Sequence, residues 1–124
     1  MTGLTLDAGA LVGLEKGSTR VRGLLEAAAP PRTVRIPAAV LAQVWRYGSR
    51  QAVLSRLISA EGTEVVALDQ AGAQAVGGLL AATGMRDVVD ASVVVCAWAH
   101  DDIVVTSDPD DLRRLDPTLR LVAL

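Results

Sequence analysis

The 124-residue sequence contains no phenylalanine, one tyrosine and two tryptophans. A core built around aromatic rings is excluded, and the interior must be assembled from Leu, Val, Ile and Ala. The single cysteine, Cys96, excludes an internal disulfide and a cysteine-rich zinc site. The single histidine, His100, excludes the two-histidine zinc motifs. No apolar run approaches the roughly 20 residues that span a bilayer. The longest, 91–99, runs into His100, Asp101 and Asp102. The opening residues Met1 to Leu6 carry no basic leader and meet Asp7 at once. No signal peptide and no membrane partner are expected, and the expected location is cytoplasmic.

Hydrophobic residues make up 51% of the chain and charged residues 21%, which indicates a folded protein rather than a disordered one. The length suits a single domain over 1–124 with one real core. Charge is divided unevenly. Residues 1–60 hold eight basic and three acidic side chains, and residues 61–124 hold four and eleven. Between Arg86 and Arg113 stand seven aspartates and no Lys or Arg. A net charge of −2 makes a poor general nucleic-acid binder. A basic half beside an acidic site is still compatible with a metal-dependent enzyme acting on a phosphate polymer.

Apolar periodicity predicts strands over 4–6, 33–36, 63–68, 103–106 and 119–124. Helices are predicted over 10–15 and over 19–29, the second capped by Ser18 and ended by Pro30-Pro31. Pro37 suits the first position of a helix that carries Val40, Leu41, Val44 and Trp45 and stops at Gly48. Another follows Ser49. Asp69 caps one that reaches Thr83, and its run of Ala and Gly calls for close packing against a neighbour. The next opens at Arg86 or Asp87 and reaches Ala99 or His100, and a short one covers 110–115. Apolar strands separated by helices imply an α/β fold whose central parallel sheet is covered on both faces.

In such sheets, sites form beyond the C-terminal ends of the strands. Asp7 follows the first strand and Asp108 follows the fourth. Asp90 lies near the start of the helix that precedes the fourth strand, so the three can converge on one edge. Asp90 sits among Val88, Val89, Val93, Val94 and Val95, and an acid in such a run needs a partner. Other acids have local explanations. Asp87 is read as a helix cap, Asp110 and Asp111 as first-turn acids, and Asp101 and Asp102 as a solvated turn. Clustered carboxylates repel unless a cation neutralises them. With oxygen donors and no Cys or His cluster, that cation would be Mg²⁺ or Mn²⁺.

The segments Leu6-Asp7-Ala8-Gly9-Ala10, Ile36 to Val44, Asp87-Val88-Val89-Asp90-Ala91 and Val104 to Leu112 occur in an order that resembles a PIN domain of the VapC-type toxin family. The resemblance covers nearly the whole chain. It implies a PIN-like three-layer sandwich and divalent-metal-dependent cleavage of RNA, as in the toxin of a type II toxin–antitoxin system. It also implies a cognate antitoxin as partner and a possible homodimer.

Carried onto this chain, the resemblance makes Asp7, Asp90 and Asp108 the catalytic and metal-ligating acids and Thr106 the hydroxyl near the metal. The family glutamate in the helix after Ile36-Pro37 is replaced by Gln43, which brings hydrogen bonds but no charge. Asp87 or Asp111 could compensate. The replacement leaves an alternative open, a weak or inactive PIN-like protein that binds RNA or an antitoxin. Water rather than the RNA 2′-hydroxyl would be the nucleophile, so products should carry 5′-phosphate and 3′-hydroxyl ends. Arg46, three residues after Gln43, would share its helix face and contact RNA phosphate; Arg50, Arg86 and Arg113 are weaker candidates. A receiver domain fits poorly, because Asp7 has no adjacent acid and the only lysine is Lys16.

Overall fold

The computed structural model describes residues 2–49 and 51–124. The chain order is β1 (Leu4–Leu6), α1 (Ala8–Glu15), α2 (Thr19–Ala27), β2 (Val34–Pro37), α3 (Ala38–Val44), α4 (Gln51–Ser59), β3 (Thr63–Val66), α5 (Gln70–Thr83), α6 (Val88–His100), β4 (Ile103–Thr106), α7 (Pro109–Leu115) and β5 (Leu121–Ala123). The five strands form one sheet in the order β3-β2-β1-β4-β5. Every pairing is parallel. The chain therefore winds outward from β1 in one direction, returns past it through α5 and α6, and continues to β4 and β5. Right-handed crossovers then put α1, α2 and α4 on one face and α5, α6 and α7 on the other. This is the expected sandwich.

The core is aliphatic, as the absence of phenylalanine requires. Leu6, Leu11, Ile36, Val40, Leu54, Val93, Val94, Val104, Val105 and Leu112 are fully buried. Strand β1 is buried along its whole length and β4 from Val104 to Thr106, because helices cover both sides. Thr5 and Thr106 share that burial, and each hydroxyl is satisfied by an aspartate: Thr5 Oγ1 donates to Asp102 Oδ2 at 2.8 Å and Thr106 Oγ1 to Asp7 Oδ2 at 2.7 Å. A hydroxyl buried without such a partner would cost about 1–3 kcal/mol.

Several boundaries differ from the sequence expectation. Helix α1 begins at Ala8, not residue 10, because Asp7 occupies its N-cap. Pro37 closes β2 rather than opening the helix, standing in register with Val66 of β3. Helix α3 ends at Val44, four residues before Gly48. Trp45 is already extended at ψ 130°, and Tyr47 takes a positive φ of 55° that no helix accommodates. The glycine-rich helix α5 packs against α6, but the glycines at its centre do not make that contact. Val76 is its one buried residue, and a Cβ at Gly77 or Gly78 would meet nothing within 4 Å.

A buried ion pair crosses the sheet face under α6. Thr5, Arg35 and Glu64 stand in one register row on β1, β2 and β3. Arg35 Nη1 donates to Asp102 Oδ1 at 2.8 Å, and Arg35 Nε lies 3.7 Å from Glu64 Oε2 without a hydrogen bond. Asp102 is buried, so the solvated turn expected at 101–102 holds only for Asp101, which is exposed and closes α6 with φ 54°. Gly3 makes room for the pair, since a Cβ there would lie 2.8 Å from Asp102 Oδ1 and 2.9 Å from Arg35 Nη1.

Candidate active site

The C-terminal edge of the sheet gathers the acids. Asp7 follows β1 and is almost fully buried. It is fixed from both sides. Its Oδ1 accepts from the Ala8 N–H at 2.6 Å, and its Oδ2 accepts from Thr106 Oγ1 at the end of β4. The same Thr106 oxygen accepts the Asp108 N–H at 2.9 Å. One hydroxyl thus ties the acid after β1 to the backbone of the acid after β4. The pairing of β1 with β4 puts these groups side by side, with Leu6 opposite Val105 and the Asp7 N–H bonded to the Val105 carbonyl at 3.0 Å. Asp108 takes the N-cap position of α7 without using its side chain as a cap, and that side chain is exposed.

Helix α6 brings the third acid. Asp87 caps its N-terminus by accepting the Asp90 N–H at 2.9 Å, as expected from its position. Asp90, in the first turn of the helix, is half-buried and its carboxylate receives no hydrogen bond among the described residues. Burial first, then the charges of Asp87, Asp7, Asp111 and Asp108, push its pKa up to about 7. Burial also raises Asp7, although the bonds from Thr106 and Ala8 pull the other way. The charges that act most on Asp90 are all carboxylates. Asp7, Asp87, Asp90, Asp108 and Asp111 therefore form one electrostatic neighbourhood drawn from the two ends of the chain. Asp111 lies in the first turn of α7 and meets Arg114 at 3.3 Å.

The donor set is entirely oxygen, which suits a hard divalent cation. The excess negative charge around Asp90 is what such an ion would relieve. As placed, no three carboxylate, imidazole or thiolate groups among the described residues are gathered closely enough to hold an ion by themselves. The match is one of chemistry and charge, and water would complete any coordination shell.

The remaining candidates fall elsewhere. Gln43 is exposed on α3, a helix in contact with both α1 and α6. Arg46 does not share its helix face, because α3 has ended two residues earlier. Its guanidinium bonds the carbonyls of Ala42 and Trp45, and its N–H bonds Gln51 Oε1 at 2.8 Å. Gln51 in turn donates to Glu15 at the far end of α1. Arg86 and Arg113 are exposed, and Arg50 lies outside the described residues. Sequence reasoning overlooked Ser107, which sits directly over Gly9. No local signal points to that contact, because Gly9 reads as an ordinary helical residue and its partner is distant in the chain.

A family model described as the PIN domain matches residues 4–116. The chain belongs to the PIN domain family. PIN domains are generally nucleases and typically depend on divalent metal. Solved structures agree on the fold. VapBC2 from Rickettsia felis bound to a promoter DNA fragment superposes with a TM-score of 0.77 at 21% identity, covering 98% of both chains. DNA-bound VapBC from Salmonella typhimurium gives 0.77 at 20% identity, covering 99% of this PIN domain and 98% of its counterpart. FitAcB from Neisseria gonorrhoeae gives 0.63 at 15% identity, covering 95% of each. No curated protein sequence matches the chain.

Proposed function

We propose that the chain is a metal-dependent endoribonuclease acting as the VapC-type toxin of a toxin–antitoxin pair. The observation that carries this reading is the uncompensated group of aspartates at the strand ends of a PIN fold. Its members are Asp7, Asp90 and Asp108, with Asp87 and Asp111 beside them. The likeness in fold to VapBC and FitAcB supports the partner half of the proposal.

Asp7, Asp90 and Asp108 would hold Mg²⁺ or Mn²⁺. An ion held there would screen the charge of a phosphodiester and lower the pKa of water, so that hydroxide is available as the nucleophile. The chain's own contribution is orientation. Thr106 fixes the Asp7 carboxylate and the Asp108 backbone together, so the two strand-end acids keep one geometry. Asp87 secures the first turn of α6 and so the direction in which Asp90 projects. A carboxylate of the group accepts the proton of the attacking water. Arg46 is our phosphate contact only in a bound state in which its guanidinium leaves the backbone carbonyls. The acidic site attracts a basic segment of the antitoxin, and the exposed small-residue face of α5 is available to a second copy of the chain. A cytoplasmic site of action belongs to the proposal because the RNA substrate is there. No helix of the described residues is long and apolar enough to cross a membrane.

A second reading has its own observation. Gln43 is neutral and exposed where the family resemblance expects a glutamate. A chain so altered would bind RNA or an antitoxin and cut poorly. Digestion of total RNA by the antitoxin-free protein with Mg²⁺, Mn²⁺ or EDTA separates the two. Discrete fragments that need metal and vanish in Asp7→Asn support the nuclease. RNA binding without fragments transfers the weight to the second reading.

A further inference from the structure

The turn that carries Asp108 rests on a missing side chain. Gly9 is the second residue of α1, two after Asp7. A Cβ built there would lie 2.0 Å from Ser107 Oγ, 2.7 Å from Ser107 Cβ and 3.1 Å from Ser107 N. Ordinary contact for such an atom is 3.4–4 Å. Rotating the serine would free only Oγ. Its Cβ and backbone nitrogen move only if the whole turn moves. The neighbours of Ser107 are the two groups that lock the site: Thr106, which donates to Asp7 Oδ2, and Asp108, whose N–H reaches Thr106 Oγ1. Gly9 is half-buried and helical, so its role here comes from space and not from an unusual backbone angle.

We infer that Gly9 is a positioning residue, a socket in the first turn of α1 that seats Ser107 and thereby holds Asp108 in register with Asp7. The inference rests on the metal-site reading above. Any side chain at position 9 lifts the 106–108 turn and separates the two strand-end acids without touching either carboxylate. Residues that orient metal ligands typically change affinity by roughly 10–100-fold when altered.

The test is Mn²⁺ titration by calorimetry of the wild type, Gly9→Ala, Ser107→Gly and the double variant, with melting in EDTA alongside. Gly9→Ala should weaken Mn²⁺ binding roughly tenfold or more. The double variant, in which the Oγ and Cβ clashes are gone, should recover most of the loss. A Gly9→Ala protein that binds Mn²⁺ as the wild type does overturns the inference. So does a double variant as weak as the single one. Ser107→Gly alone, which empties the socket without creating a clash, should bind Mn²⁺ nearly as the wild type does. Should Gly9→Ala fail to fold, the double variant decides: recovered folding and Mn²⁺ binding support the socket, and a double variant that is unfolded or weak overturns it. A wild type that binds no Mn²⁺ at all removes the metal-site reading and the socket with it, an outcome distinct from failure in the variants alone.

Discussion

Asp90→Asn should make the metal-free protein more stable at neutral pH while removing its response to metal. The wild-type carboxyl has a pKa of about 7 in the folded state, against an ordinary value of 3.8. Between those values the unfolded chain releases the proton and the folded chain keeps it. The folded state therefore binds more protons, and stability falls as pH rises from about 4 to about 7, then levels off. For a fully buried group that difference corresponds to about 4 kcal/mol. Asp90 is half exposed, and solvent screening reduces the figure to about 1–2 kcal/mol. For a domain of this size that is roughly 4–8 °C in melting temperature. Asparagine has the shape of the protonated acid and never ionises. The two proteins should melt together near pH 4 and separate progressively to pH 7.5, with Asp90→Asn the higher. Mn²⁺ at a hundredfold excess over its dissociation constant should add about 2.7 kcal/mol to the wild type and little to the variant. The assay is thermal melting in EDTA and in Mn²⁺ across that pH range. A variant that melts below the wild type throughout, or a gap that does not change with pH, would refute the reasoning.

Three further outcomes are expected. Thr106→Val removes the hydroxyl shared by Asp7 and the Asp108 N–H and should weaken Mn²⁺ binding roughly tenfold, read by calorimetry. Gln43→Glu should raise Mn²⁺ affinity if position 43 faces the ion, and unchanged affinity would show that this side of α3 looks elsewhere. Arg35→Met leaves the buried Asp102 charge unpaired and should cost about 3 kcal/mol, seen in denaturant unfolding, whereas Arg35→Met with Asp102→Asn should recover most of it.

The fold was legible because each strand is a short apolar run between helical patterns, and an all-parallel sheet produces that alternation. Caps were legible for the same local reason: Ser18, Asp69 and Asp87 each accept an N–H from their own helix. The nearness of Asp7 to Asp108 could be foreseen from strand ends, since adjacent strands carry them, and that of Asp90 from the start of the helix before β4. What escaped depends on tertiary packing. Asp102 reads as the partner of Asp101 in a polar turn, yet it points inward because Arg35 and Thr5 wait on the sheet face. The end of α3 was misplaced because nothing local forbids a helix through Trp45-Arg46-Tyr47. The bond from Arg46 N–H to the buried Gln51 draws the chain away from it. The seat of Ser107 on Gly9 joins residues 98 positions apart, and no local pattern announces it.

The chemistry of the cut ends tests the central claim most directly. RNA digested by the antitoxin-free protein with Mn²⁺ should carry 5′-phosphate and 3′-hydroxyl termini, and Asp7→Asn or EDTA should abolish the fragments. Termini bearing a 2′,3′-cyclic phosphate, or cleavage that persists in EDTA, would contradict hydrolysis by water at an aspartate-held metal.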